Sequence, residues 1–185
     1  MNKSLFALAL AAALPLAAQA ADKPLSYTYV EGNYQKADHG VDGVGLRGSY
    51  GLGSSNFYVL GGYSWLGSDD ETFDDDEIKA NELGLGYHHA LAGKTDLLGE
   101  VAYRNMRVAG RNIDGARGSV GVRSALSDRI EGIAKVNYYD ASDYDGDVTG
   151  TVGGQYKFND MWGATAEAEF GNGDKAWLLG VRASF

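Results

Sequence analysis

Five times in this chain an apolar residue and a glycine open a run that alternates towards an aromatic residue or leucine. The copies run from Val44 to Tyr50, Leu83 to Tyr87, Val120 to Leu126, Val152 to Phe158 and Leu179 to Phe185. Their starts lie 39, 37, 32 and 27 residues apart. A stacked solenoid needs near-equal units, whereas a drifting interval suits hairpins whose connections differ in length. Second strands with their own period of two lie between the copies. Their apolar positions are Phe57, Val59, Tyr63 and Trp65; Leu97, Val101 and Tyr103; Ile130, Ala134, Val136 and Tyr138; and Trp162, Ala164, Ala166, Ala168 and Phe170. A first strand, about Ser26 to Gln35, sets Val30 and Tyr34 against Glu31, Asn33 and Gln35. The pattern predicts an all-β chain of ten antiparallel strands, and no proline after Pro24 interrupts a ladder.

The segment before the strands is an address. Met1 to Ala20 has a basic start at Lys3, an apolar run from Leu5 to Leu16 and the small-residue exit Ala18-Gln19-Ala20, which predicts a signal peptide over 1–20 with cleavage between Ala20 and Ala21. Residues 21–185 then form one domain. Beyond Ala21 no apolar run approaches the ~18 residues of a spanning helix, so membrane association has to use strands or a surface contact. The chain has no Cys, which excludes disulfide scaffolds, Cys-ligated metal centres and thiol nucleophiles. Its formal charge of −9 argues against nucleic acid as a partner.

Alternation alone does not say which face is wet. The connections supply one criterion: tight links at Gly53–Ser55, Ala92–Lys94, Ser127–Asp128 and Asn159–Asp160 on one side. On the other, longer polar ones are expected at Lys36–Gly43, Gly67–Lys79, Ala109–Gly115 and Asp140–Asp147, with a shorter one at Gly171–Lys175. Aromatics on the apolar parity supply another. Tyr50, Phe57, Tyr87, Phe158, Trp162 and Phe185 gather at the turn end, and Tyr34, Trp65, Tyr103, Tyr138, Phe170 and Trp177 at the loop end, as two girdles around an aliphatic band. Reversing the faces would set Arg47, Arg123 and Arg182 against lipid at about 2–4 kcal/mol each, roughly a whole domain's stability in sum. The apolar face is therefore assigned to lipid. The fold class is an antiparallel up-and-down transmembrane β-barrel.

The signal segment, the strands and the ending Trp177 to Phe185 resemble the small outer-membrane β-barrels of the OmpA/OmpX-like porin group. Tyr27-Thr28-Tyr29-Val30-Glu31-Gly32, Gly121-Val122-Arg123-Ser124-Ala125-Leu126, Gln155-Tyr156-Lys157-Phe158-Asn159 and Asp174-Lys175 look closer to a subfamily of small gammaproteobacterial outer-membrane proteins once discussed as quorum or immune-eliciting factors. The resemblance implies export to the outer membrane of a Gram-negative bacterium, and presence in its vesicles. It implies contact with lipid and lipopolysaccharide, and an assembly signal at Trp177, Leu179, Val181 and Phe185 read by the insertion machinery. OmpX-like members have eight strands, so eight is the alternative to ten.

By parity the lumen receives Glu31, Glu82, Glu100, Glu131, Glu167 and Glu169 with Arg47, Arg104, Arg117, Arg123, Lys135, Lys157 and Arg182. Nearly balanced charge in a narrow barrel predicts a salt-bridged plug. Gly45, Gly84, Gly121, Gly153 and Gly180, at equivalent lumen-facing positions, vacate room for those long side chains. Together these predict a monomeric, rigid scaffold that displays acidic loops for envelope structure or for a host or envelope surface partner. A narrow passive pore is the alternative. No cofactor is expected; Asp143, Asp145 and Asp147 around a turn are candidates for a loop-bound divalent cation, without EF-hand spacing. His39 beside Asp38 and Asp42 is the one rim histidine, with nothing else to support hydrolysis, so the chain is not read as an enzyme.

Overall fold

Period-two strands that are apolar on one face have two ways to satisfy their backbone groups: stack into a sandwich, or close on themselves. This chain closes. The computed structural model describes residues 25–68, 77–92, 94–108, 110–142, 144–171 and 173–185, and within them runs one all-antiparallel barrel. Its strands are β1 (Tyr29–Ala37), β2 (Val41–Gly51), β3 (Phe57–Ser68), β4 (Ile78–Ala92), β5 (Thr95–Val108), β6 (Arg111–Ala125), β7 (Ile130–Ala141), β8 (Tyr144–Lys157), β9 (Trp162–Gly171) and β10 (Asp174–Ser184). Each pairs with its neighbours in sequence, and β1 pairs with β10, from Tyr29↔Ser184 to Ala37↔Ala176. There are ten strands and not the alternative eight, and no helix among the described residues. The segment 1–20, the cleavage junction at Ala21 and the loop acids of 69–76 lie outside the described residues.

The parity assignment sets the wall's two faces. Val30, Val44, Leu46, Leu83, Leu85, Val101, Val120, Leu179 and Val181 are exposed on the outer surface. Eleven of the twelve predicted girdle aromatics, all but Phe170, share that surface as exposed side chains. Above the girdle the phenol of Tyr34 donates to Asp42 Oδ2 (2.6 Å) and that of Tyr103 to Asp114 Oδ1, so two belt tyrosines are anchored on rim acids. Buried polar residues, among them Glu31, Asn33, Arg117, Arg123, Glu131, Asn137 and Arg182, line the interior.

The predicted long connections are corrected. At the end away from the termini, four of the five links are only two or three residues long. These join β1 to β2 through His39 and Gly40 (φ of 64° and 70°), β5 to β6, β7 to β8, and β9 to β10. Only the β3–β4 link, residues 69–77, is long. Segments expected as loops are strand instead: Asn112↔Arg107, Asp114↔Asn105 and Asp147↔Tyr139 are ladder pairs. The reason is physical. Beyond the lipid both faces of a hairpin meet water, so polar residues fill both parities while the ladder continues. The result is tall ribbons in β4, β5, β6 and β8, of 14 or 15 residues each.

Candidate functional site

The lumen is built from alternate residues of every strand, so its chemistry follows from which parity carries charge. On β1 that residue is Glu31, fully buried between Arg47 of β2 and Arg182 of β10, its partners in the two flanking ladders. Arg47 Nε donates to Glu31 Oε1 (2.6 Å), and its two Nη groups reach Glu167 of β9 at 2.9 and 2.5 Å. Arg182 Nη2 lies 2.8 Å from Glu31 Oε2, with its guanidinium 4.0 Å above the Tyr29 ring. A second group forms on the opposite wall. Arg117 binds Glu82 through Nη2 (2.6 Å) and Nε (3.1 Å) and Glu100 through Nη1 (3.1 Å), while Lys135 Nζ meets Glu100 at 3.2 Å. Arg104 pairs with Glu82 (3.3 Å) and lies over the Tyr139 ring. Nearer the termini Glu131 takes Arg123 (2.5 Å) and Lys157. Glu169 is held by the hydroxyls of Tyr139 (2.9 Å) and Thr149 (2.6 Å).

All thirteen lumenal charges expected by parity are therefore partnered. Fully buried Asn137 joins the network, accepting from Ser119 and donating to Thr149 and Thr151. A buried charge without a partner costs several kcal/mol, and a connected lattice avoids that. The glycines sit where the lattice needs volume. A Cβ on Gly180 would stand 2.6 Å from Thr165 Oγ1 and 3.0 Å from the Glu31 carboxylate, and one on Gly121 would meet Lys135 Cγ at 2.6 Å.

Along the axis the lumen divides into layers. The end away from the termini opens into a cavity of about 330 Å³ lined by Gln35, Ser64, Arg104, Asn137, Tyr139 and Glu169 among others. Its floor is the lattice of Arg47, Glu167, Arg117 and Lys135, below which lies a chamber of only about 60 Å³. An apolar cluster of Tyr27, Tyr58 and Leu98 with Leu25, Leu60 and Ile133 closes the terminal mouth. There His88 stacks on Tyr27 (4.0 Å between centroids), and Asp96 accepts from the Tyr27 phenol at 2.7 Å and lies 3.3 Å from His88 Nδ1. Burial pushes the Tyr27 phenol far above its usual pKa, with the bond to Asp96 adding to the shift and Arg123 opposing it.

Sequence reading missed this closure. Its signal was present in β3 and β5, where Phe57-Tyr58-Val59-Leu60 and Leu97-Leu98 are apolar on both parities, the mark of a strand covered on both faces. Asp96, in register with Arg123, brings the lumenal acids to seven against seven bases. The remaining candidates fall elsewhere. Trp177, Leu179, Val181 and Phe185 face outwards and are exposed. His39 Nε2 sits on the rim 3.4 Å from Asp174 Oδ1. Asp147 Oδ1 accepts from the backbone N–H of Val148, Asp145 lies in β8, and Asp143 is outside the described residues. Among the described residues no three His, Cys, Asp or Glu side chains gather as a metal site.

Two solved structures share this architecture. The KdgM porin in complex with disordered oligogalacturonate is 12% identical over 85% of this chain and 99% of its own, with a TM-score of 0.53. The NanC porin is 11% identical over 85% and 100%, with a TM-score of 0.50. At such identities the likeness is one of fold. No curated protein matches the sequence. The model of the outer membrane protein beta-barrel domain matches residues 6–149, well over half the length, and a wall with lipid-compatible aromatics outside and paired charges inside is what such a domain requires; the chain belongs to that family.

Proposed function

We propose that this outer-membrane barrel is a closed, monomeric scaffold that carries acidic ribbons above the bilayer for contact with the envelope or with a host surface. The observation behind this reading is the complete pairing of the lumenal bases, with a tyrosine cluster beneath them. Opening a path for ions would require separating Arg47 from Glu167 across the lumen, which leaves two charges in a low-dielectric space. The reading is non-enzymatic and cofactor-free, with lipid, lipopolysaccharide and the insertion machinery as partners, the last through Trp177, Leu179, Val181 and Phe185. Kinship with OmpA/OmpX-like barrels belongs to this proposal.

A narrow pore is the second reading, favoured by the 330 Å³ cavity that enters from the outer end. Planar-bilayer recording of the refolded barrel separates the two. The scaffold reading expects no unitary current in molar salt. A steady, salt-dependent conductance would overturn it in favour of the pore.

A further inference from the structure

The four residues ahead of β1 do something that the wall does not require of them. Leu25 to Thr28 cross the mouth at the terminal end, and the Tyr27 side chain enters it. The ring stacks on His88 of β4 and leans on Tyr58 of β3, at 4.0 and 4.9 Å between centroids. Its phenol donates to Asp96 of β5, and the Arg123 guanidinium of β6 lies 5.2 Å from its centroid. The strap continues into β1, whose wall neighbours are β2 and β10, so Tyr27 reaches the far side of the ring. Its main chain is held at single points: Arg123 Nη1 donates to the Ser26 carbonyl (2.7 Å), Ser26 Oγ to the Phe185 carbonyl (2.8 Å), and Phe185 N–H to the Thr28 carbonyl (2.9 Å). No ladder engages it.

Directly above lies the 60 Å³ chamber, lined by Ser49, Gln155, Thr165 and Arg182. Ser49 and Thr165 are 8% and 4% exposed, and Ser49 Oγ and Thr165 Oγ1 find no protein partner. Hydroxyls buried in that way are satisfied by water, and the volume suits about two molecules at ~30 Å³ each. A hydrated compartment thus abuts an apolar stopper that is fastened by one phenol and a few point contacts.

We propose that Leu25–Thr28 is a built-in gate: the strap, latched by Tyr27, seals a water-filled chamber from the periplasm, and its release opens the lower lumen without disturbing the barrel wall. This goes beyond the scaffold reading and holds whether or not the charge lattice above it conducts.

The absence of Cys makes the test direct. Ser49→Cys sets a single thiol in the chamber, and Ser64→Cys sets one in the outer cavity as a control. Refolded barrels in micelles are treated with the trimethylammonium-ethyl methanethiosulfonate reagent, and folding is checked by gel mobility without boiling. With the strap intact the Ser49→Cys thiol should react slowly, and in a Tyr27→Gly background at least about tenfold faster, with Ser64→Cys unchanged. Tyr27→Phe keeps the ring, loses the bond to Asp96, and should give an intermediate rate; it also serves if Tyr27→Gly fails to fold. Equal Ser49→Cys rates in folded barrels with and without the Tyr27 latch would overturn the gate.

Discussion

At the scale of single residues the lumen is an exercise in how many partners each acid retains. Glu31 has two guanidiniums, Glu82 has Arg104 and Arg117, and Glu100 has Arg117 and Lys135. Glu167 depends on Arg47, since Arg182 stands 3.9 Å away. Removing one partner of a buried pair is worse than removing both, because the remaining charge stays desolvated. Arg47→Met should therefore cost about 3–5 kcal/mol, and adding Glu167→Gln should recover most of that loss. Arg117→Met should cost less, because both of its acids keep another base. Urea unfolding of barrels in lipid vesicles measures all three, and Trp65, Trp162 and Trp177 on the lipid face report it by fluorescence. Equal losses for Arg47→Met and Arg117→Met would contradict the lattice.

At the scale of elements the glycines differ in the room a Cβ would find. Gly180 borders Thr165 and Glu31, whereas a Cβ on Gly99 or Gly118 of the lipid face meets nothing within 4 Å. Gly180→Ala should destabilise by about 1–3 kcal/mol through overpacking, and Gly99→Ala or Gly118→Ala should stabilise by up to about 1 kcal/mol by restricting the unfolded chain. The same unfolding curves decide it, and a Gly180→Ala barrel as stable as the parent would remove the case for vacated volume. Strand number, strand parity and the lumenal charges were legible in the sequence because lipid on one side and a charged lumen on the other enforce a strict period of two. Where lipid ends that contrast ends too, and the tops of β5, β6 and β8 read as loops although Asp114 and Asp147 sit in ladders. The terminal closure was legible only in half: Phe57-Tyr58-Val59-Leu60 and Leu97-Leu98 mark strands covered on both faces. Tyr27, however, falls within the first strand expected from about Ser26, whereas β1 begins at Tyr29, and only the folded ring brings Tyr27 against residues of β3 to β6.

For the whole molecule, the closed ladder predicts a compact barrel that survives detergent at room temperature, so the unheated band should run apart from the boiled one. Phe185 is 68% exposed to the lipid side and contributes little packing, so Phe185→Ala should refold in vitro within about 1 kcal/mol of the parent. Its outer-membrane yield in cells should fall sharply if the insertion machinery reads that residue; an unchanged yield would remove Phe185 from the assembly signal. The seam carries a further consequence. Nine of the ten ladders join consecutive strands and can zip one hairpin at a time, but the tenth joins Tyr29 to Ser184 across nearly the whole chain. Until β10 arrives the nascent sheet has two bare edges, the template on which chains stick to one another, and Glu31 faces its second base only when Arg182 docks. A chain cut after Gly171 should therefore yield strand-paired aggregates and no heat-shifted band, because ring closure and charge neutralisation are one event.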